Sequence, residues 1–196
     1  MSDAAGHNMD TEFTALHGMQ RVFIGIPVDR QSQLRISELL KPLKKSSRDI
    51  RWVSEDNRHL TLAFLGNIPA PGVESLIKSF DETYRQESSF QCNMSVLTRF
   101  PGPTGRIIAL VGKASRPLKN IHGATLELLQ RSALDCDRRE FRPHITLGRI
   151  NKAKQIRAPI NQRLNIDLYV NKITLYKSTL TTSGAIYSAL KETLLN

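Results

Sequence analysis

Two short segments of the sequence carry histidine and threonine at the same spacing. Residues 59–62 read HLTL, and residues 144–147 read HITL. Paired imidazoles suit general acid–base catalysis, because a pKa of about 6.5 allows one ring to be protonated while the other is neutral. Cleavage of a phosphodiester needs both forms at once: one ring activates water and the other protonates the leaving oxygen. His59 and His144 are therefore candidate catalytic residues.

Each motif also predicts which side chains accompany its histidine. The alternation of polar and aliphatic residues is typical of a half-buried strand, so histidine and threonine share one face. Thr61 and Thr146 could donate hydrogen bonds to the non-bridging oxygens of a phosphate as charge builds there. Arg142, two residues before His144, falls on the same face if the strand already runs there. Its planar fork could then bind the phosphate or orient a nucleotide.

Other chemistries fit these residues less well. A lone histidine on a strand is commonly a half-buried structural residue, but the repetition of the whole motif weighs against that interpretation. A metal site remains an alternative, although two histidines are a thin ligand set and no carboxylate or cysteine recurs beside them at ligand spacing. The glycine-bounded serine of a nucleophile elbow is absent from the sequence. We therefore expect neither a metal nor another cofactor.

The two motifs occupy equivalent places in two similar stretches of chain. Buried strands are predicted for RVFIGIPV (21–28) and RIIALVGK (106–113), and each segment begins 38 residues before a motif histidine. The match in pattern and spacing predicts an internal duplication, with the second copy starting near residue 106. Residues 1–19 are predicted to form a mobile N-terminal tail, and residues 20–196 a single bilobal catalytic domain.

Hydrophobic periodicity predicts the elements that must position the motifs. The strand that carries His59 is expected to end at Gly66, and further strands are expected over 90–100, 165–180 and 185–190. The predicted helices are marked by apolar and small residues at helical spacing: Ile36, Leu39, Leu40 and Leu43; Val73, Leu76, Ile77, Phe80 and Tyr84; Leu118, Ile121, Thr125, Leu128 and Leu129. The predicted fold class is α+β and bilobal: two pseudo-symmetric antiparallel-sheet lobes with helices on the outside and a central cleft.

The charge of the chain points to an acidic partner. The formal net charge is +10 and the isoelectric point is about 9.9. Such a surface attracts polyanions, although simple solubility is an alternative explanation. Arginines crowd around the motifs, which favours nucleic acid: Arg51, Arg58, Arg138, Arg139, Arg142 and Arg149.

The sequence contains no apolar run of membrane-spanning length and no secretory signal, so no membrane association is expected. Cys92 and Cys136 have no partner at metal-ligand or redox-motif spacing. Both are predicted to be buried thiols in a reducing cytoplasm.

The motifs and their flanks resemble a known family. RHLTLAFLGNI and EFRPHITLGRI are similar to the paired motifs of the two-histidine phosphoesterase superfamily. Within it, the bacterial RNA 2′,3′-cyclic phosphodiesterases (LigT-like proteins, once called 2′-5′ RNA ligases) are the nearest branch. The opening RVFIGIPV and the closing ITLYKSTLTTSGAIYSAL add to the resemblance, which spans about residues 20–192.

This resemblance implies metal-independent opening of a 2′,3′-cyclic phosphate at an RNA end, which leaves a 2′-phosphate. It assigns His59 as the proton donor to the departing 3′ oxygen and His144 as the proton acceptor from water. The implied substrates are RNA with 2′,3′-cyclic phosphate ends, tRNA halves among them, and nucleoside 2′,3′-cyclic phosphates. A cytoplasmic monomer is expected, because two lobes of one chain can build the cleft.

Two other functions use the same residues. The first is the reverse reaction, which joins RNA ends through a 2′-5′ linkage. The second is a binding module that holds a nucleotide without turnover. The presence of both histidines argues against the binding module, whereas the reverse reaction requires the same acid and base.

Overall fold

The computed structural model describes residues 18–47, 49–136, 139–151, 160–182 and 184–196. Its elements follow in chain order: β1 (Met19–Pro27), α1 (Arg30–Ser46), β2 (Ile50–Trp52), a 3-10 turn (Glu55–Asn57), β3 (His59–Pro69), α2 (Ala70–Tyr84), β4 (Phe90–Phe100), β5 (Ile107–Gly112), α3 (Arg116–Arg131), β6 (His144–Ile150), β7 (Asn161–Val170), β8 (Lys172–Thr181) and β9 (Gly184–Leu194).

The strands form two similar lobes that meet at the motif strands. Their order across the sheet is β7-β4-β5-β6-β3-β1-β8-β9, with every pairing antiparallel, and β2 pairs with β6 beside this path. Each lobe therefore places a histidine strand innermost, the preceding apolar strand next and two further strands outermost. The predicted fold class, α+β with two pseudo-symmetric antiparallel lobes, is confirmed.

Helices bury the apolar stripes expected from their periodicity. Ile36 and Leu40 of α1 are buried, and so are the predicted stripes of α2 and α3 apart from the half-buried Ile77. The helices also cross between the lobes: α1 contacts β7 of the second lobe, whereas α3 contacts β3 of the first. Each lobe is therefore covered partly by a helix from the other half of the chain.

The seam between the lobes is a contact between the second residues of the two motifs. β3 and β6 pair through Leu60 and Ile145, and both side chains are fully buried. An approximate two-fold relation between the lobes therefore passes through this pair. The same contact sets the distance and orientation of the two histidines, since each is the preceding residue.

A β-bulge occurs at the fourth residue of each motif. Ile24 and Gly25 of β1 pair with Ala63 and Thr61, so Leu62 has no partner in β1. A register shift in the β5–β6 pairing likewise leaves Leu147 without a partner in β5. A bulge adds one residue to a strand and thereby reverses which face the later residues occupy.

The burial pattern shows the effect of the bulges. Both strands have the same sequence of half-buried, buried and exposed positions over residues 59–64 and 144–149. Phe64 and Arg149 consequently return to the histidine face, whereas simple alternation assigns them to the leucine face.

Several boundaries differ from the sequence-based prediction. β1 begins at Met19, so the predicted tail of residues 1–19 is too long by at least this residue; residues 1–17 lie outside the described part of the chain. The predicted end of the first motif strand at Gly66 is wrong. Gly66 takes a φ of 71°, which glycine adopts without steric cost, and β3 continues to Pro69 opposite Met19.

Other local features depart from prediction as well. β2 and the 3-10 turn were not predicted, because three-residue elements carry no periodic signal. Cys92 is buried as expected, whereas Cys136 is only partly buried. None of the helices in the described part of the chain is long and apolar enough to cross a membrane.

The outer edge of β7 is covered by polar side chains of α1 and its cap. The Asp29 carboxylate accepts from the backbone N–H groups of Ser32 and Tyr169. Ser32 and Arg35 donate to the carbonyl oxygens of Asp167 and Asn165 respectively. This row of bonds satisfies groups that an edge strand otherwise leaves to solvent or to another chain.

The seam generates a stability prediction. Leu60→Ala should lower the free energy of unfolding by about 2–5 kcal/mol, because it opens a cavity where the lobes join. Leu180→Ala is the matched control: that side chain is 69% exposed, so its loss should change stability by about 0.5 kcal/mol or less. Urea unfolding of both variants measures the difference, and equal midpoints would show that the seam contributes no special stability.

Candidate active site

Both motif histidines are anchored in the same way. Nδ1 of His59 lies 2.9 Å from the carbonyl oxygen of Asn57, and Nδ1 of His144 lies 2.8 Å from that of Arg142. A carbonyl oxygen can only accept, so each Nδ1 must carry the hydrogen. Nε2 is then the nitrogen that each ring leaves for a substrate. It accepts a proton when the ring is neutral and donates one when the ring is charged.

Asn57 is itself held in place by the outer strand of the lobe that carries His59. Its side-chain amide donates to the carbonyl oxygen of Ala185 on β9, at 2.8 Å. The 3-10 turn that contains Asn57 therefore docks on β9 while its backbone carbonyl orients His59. This two-step contact fixes the rotation of the imidazole.

Aromatic rings surround His59. The ring centroids of Phe23, Tyr187 and Tyr176 lie 4.5, 5.3 and 5.9 Å from that of His59. Gly25 leaves space for the imidazole on the same strand as Phe23. A Cβ atom at Gly25 would lie 2.9 Å from the Leu60 carbonyl oxygen and 3.4 Å from His59 Cδ2. These contacts hold the ring firmly and exclude water from most of it.

Burial lowers the pKa of His59 to about 4. Charge on His144 and on Arg149 adds to the effect, while the hydrogen bond to the Asn57 carbonyl opposes it. In the absence of a ligand, His59 is therefore neutral at pH 7.

His144 stacks on Phe100, with ring centroids 4.0 Å apart and planes inclined by 18°. The guanidinium of Arg142 lies 4.8 Å from the centroid of the same phenyl ring. Burial is the main cause that lowers the pKa of His144, and the charges of Arg142, Arg149 and Arg139 lower it further. Both imidazoles are thus tuned toward the neutral form.

Arg142 reaches the site by a different route from the one predicted. β6 begins only at His144, so Arg142 lies in the segment before the strand and shares no strand face with the histidine. Its backbone carbonyl holds His144, and its exposed side chain packs over Phe100. Arg142 and His144 are therefore neighbours because both side chains pack against the ring of Phe100.

Each motif threonine lies across the seam from the histidine of the other motif. In an antiparallel register centred on Leu60 and Ile145, Thr61 is beside His144 and Thr146 is beside His59. Both threonines are half-buried, as the histidines are. The structure therefore brings together the four motif residues singled out by their spacing.

Arg149 is a further residue of this face. Its charge lowers the pKa of both histidines, which places it within electrostatic reach of each. Sequence reasoning counted Arg149 only as part of a basic cluster, because alternation without the bulge puts it on the buried face. Each strand has two consecutive buried positions after its motif threonine, but this pattern indicates a bulge only when the pairing of the strands is already known.

The remaining basic residues separate into different environments. Arg58 is only 2% exposed and donates from Nη1 to Gln33 and Ser37 of α1, so it contributes structure rather than a charged surface. Arg51 and Arg139 are exposed. Arg138 lies outside the described residues.

The polar groups on the histidine face are imidazole and guanidinium nitrogens and threonine hydroxyls. Within the described ranges, no group of three or more histidine, cysteine, aspartate or glutamate side chains is arranged to hold a metal ion.

Comparison with known proteins gives a consistent set of relatives. The family model described as LigT like phosphoesterase matches residues 26–111 and again residues 108–187. An RNA 2′,3′-cyclic phosphodiesterase of Thermotoga maritima is 29% identical over an alignment of 187 residues, and the match covers 88% of this chain and 94% of the relative.

Solved structures share the fold. TT0787 of Thermus thermophilus superposes with a TM-score of 0.76 at 25% identity, covering 89% of this chain and 97% of that one. Escherichia coli LigT complexed with 3′-AMP gives a TM-score of 0.71 at 28% identity, covering 91% and 99% of the two chains.

The lowered histidine pKa values predict that an anion binds together with a proton. Sulfate placed near the two Nε2 atoms should raise the pKa of the imidazoles, so the complex takes up protons. Its affinity should therefore fall as pH rises through the pKa of the complex. Calorimetric titration in two buffers of different ionisation enthalpy, between about pH 5 and pH 8, measures the uptake.

The matched control for this titration is the double variant His59→Asn, His144→Asn, which should retain arginine-mediated binding without proton uptake. A wild-type affinity that does not change with pH, with equal heats in both buffers, would mean that the anion does not reach the imidazoles.

Proposed function

The chain belongs to the LigT-like phosphoesterase family and is a phosphodiesterase, and from this premise we propose that it opens RNA 2′,3′-cyclic phosphates to 2′-phosphomonoesters. The observation that carries the proposal is the matched anchoring of His59 and His144. Each Nδ1 is committed to a backbone carbonyl, so each Nε2 is available for a proton transfer at one phosphate. Paired acid and base are what in-line displacement at phosphorus requires.

In the proposed reaction, His144 Nε2 takes a proton from water as the water oxygen forms a bond to phosphorus. The bond from phosphorus to the 3′ oxygen breaks, and that oxygen takes the proton from His59 Nε2. The product keeps the phosphate on the 2′ oxygen, and the two histidines exchange protonation states. The direction follows the family resemblance, since the residue chemistry is the same on both sides.

His59 must be charged before it can act as the donor. Burial keeps it neutral in the free protein, so the proton has to arrive with the substrate. The negative charge of a bound cyclic phosphate raises the pKa of a nearby imidazole, which supplies the required shift. Substrate binding and activation of the acid are thereby linked.

The remaining groups are proposed to bind the phosphate. Thr61 and Thr146 would donate to its non-bridging oxygens, where charge builds during the displacement. Arg142 and Arg149 would add positive potential from the second lobe, with the fork of Arg142 turned toward the nucleotide. No step needs a metal ion, because the imidazoles perform both proton transfers.

The proposed substrates are RNA ends that carry a 2′,3′-cyclic phosphate, tRNA halves among them, and the corresponding mononucleotides. RNA is a cytoplasmic substrate, and we place the activity there. One chain supplies both histidines, so a monomer suffices for the reaction. The two halves, with the second beginning near residue 106, are proposed to be copies of one ancestral unit within a single catalytic domain.

Adenosine 2′,3′-cyclic phosphate incubated with the protein and excess EDTA tests the reaction. The expected product is adenosine 2′-phosphate, resolved from the 3′ isomer by chromatography, at a rate equal to that without EDTA. Activity that disappears with EDTA and returns only with a divalent metal would contradict the mechanism. Binding without turnover would favour a nucleotide-binding module, and joined RNA ends as the main product would favour ligation.

Substitution of the motif residues tests the roles. His59→Ala and His144→Ala should each lower kcat by roughly a hundredfold or more, the usual size of a general acid or base contribution. Thr61→Ala and Thr146→Ala should cost roughly tenfold, as expected for one hydrogen bond to a charged group.

His122→Ala is the matched control for these variants. Its ring belongs to α3, outside both motif strands, and stacks on Phe141 at 4.0 Å. Its loss should leave kcat near the wild-type value. A folded His59→Ala or His144→Ala variant with normal turnover would return that residue to a structural role.

A further inference from the structure

Two arginines face each other directly across the pairing of β2 with β6. Arg51 and Arg149 are register partners, and both side chains are exposed. Like charges at directly opposite positions of an antiparallel pair destabilise it. No salt bridge relieves either of them within the described residues. The arrangement therefore leaves two guanidinium forks for an external anion.

The arginine pair adjoins the two histidines on the same side of the sheet. The bulge at Leu147 turns Arg149 onto that face, and its charge lowers the pKa of both His59 and His144. Arg51 lies on β2, which pairs with the edge of β6 that faces the first lobe, since β5 occupies the other edge. Its Nη1 lies 3.6 Å from the position that a Cβ of Gly184 would occupy, at the β8–β9 hairpin. The pair therefore lies on the strand that carries His144 and on its neighbour β2, close to the β8–β9 hairpin of the first lobe.

The pair is present in one lobe alone among the described residues. The position equivalent to Arg149 in the first lobe is Phe64, whose ring is covered by Arg21 at 4.7 Å. Residues 135 and 136, which correspond to the start of β2, form no strand. The pseudo-symmetry that places the histidines therefore does not extend to the arginine pair, and this positive charge lies on one side of the site only.

We propose that Arg51 and Arg149 form a second phosphate site, which binds the backbone phosphate on the 5′ side of the terminal nucleoside of an RNA end. This inference rests on the proposed function, since that function defines which phosphate occupies the histidines. Two planar forks side by side match the oxygens of one phosphodiester. The site distinguishes an RNA end from a mononucleotide, which lacks this second phosphate.

Arg51 tests the proposal, because, unlike Arg149, it has no part in the proposed reaction at the histidines. Three substrates are compared: adenosine 2′,3′-cyclic phosphate, a dinucleotide that ends in a 2′,3′-cyclic phosphate, and the same dinucleotide with a neutral methylphosphonate linkage. Arg51→Ala should lower kcat/KM for the charged dinucleotide roughly tenfold, through KM, and change the other two less than twofold. Arg51→Lys should recover part of the loss, because it keeps the charge without the fork.

Arg163→Ala is the matched control. Arg163 is an exposed arginine on β7, the outer strand of the second lobe. Arg163→Ala should change kcat/KM by the same small factor for all three substrates. Without substrate, Arg51→Ala should not lower the thermal midpoint, because it removes a like-charge pair.

An equal loss on all three substrates, or no loss on the charged dinucleotide, would overturn the second phosphate site while leaving the proposed function intact. Failure of the wild-type protein to turn over any of the three would instead overturn the proposed function, and the second site with it.

Discussion

The whole candidate site depends on one apolar contact. Leu60 and Ile145 join the two lobes through a single register pair, and each is the residue that follows a catalytic histidine candidate. The polar groups stand on the opposite face of the same two strands. Their relative positions are therefore set by packing in the core, which is close to rigid, rather than by loops. A hydrophobic contact fixes the geometry of two ionisable groups.

The electrostatic state of the free site follows from that placement. Burial is the main reason that both imidazoles favour the neutral form. The positive charge of Arg149 near both rings, and that of Arg142 near His144, makes protonation of both rings costlier still. The missing component is a negative charge. In the proposed mechanism a bound phosphate would supply it, so binding of the anion and protonation of the acid would occur together. Burial, reinforced by the neighbouring positive charges, keeps the catalytic candidates of this basic chain neutral.

The sequence predicted the parts of this site that depend on local patterns. Alternation placed His59 with Thr61, and helical spacing identified the buried stripes such as Leu76 and Phe80. It could not predict contacts between segments far apart in the chain, such as Phe23 and Tyr176 against His59. Arg58 shows the converse error. Its position next to the motif indicated a surface charge, but α1 encloses it with hydrogen-bonding groups at positions that no local pattern reveals.

The bulges were beyond sequence reasoning for a different reason. A bulge is decided by the register of two strands, and a run such as HITLGRI reads equally well as uninterrupted alternation. The consequence for the site is large, since one extra residue decides whether Arg149 points into the core or lies exposed on the histidine face. The two motif strands share the bulge at the same position, although the residues that it exposes are different.

The contact between α1 and β7 bears on how such a molecule could have arisen. α1, in the first half of the chain, binds the outer strand of the second lobe through Ser32, Arg35 and its N-cap Asp29. α3, in the second half, packs on β3 of the first lobe. Either half alone would expose both a sheet edge and an uncovered sheet face. An ancestor with one motif would by this geometry have needed a second copy of itself to cover that edge and that face, and joining two copies end to end would supply the cover within one chain.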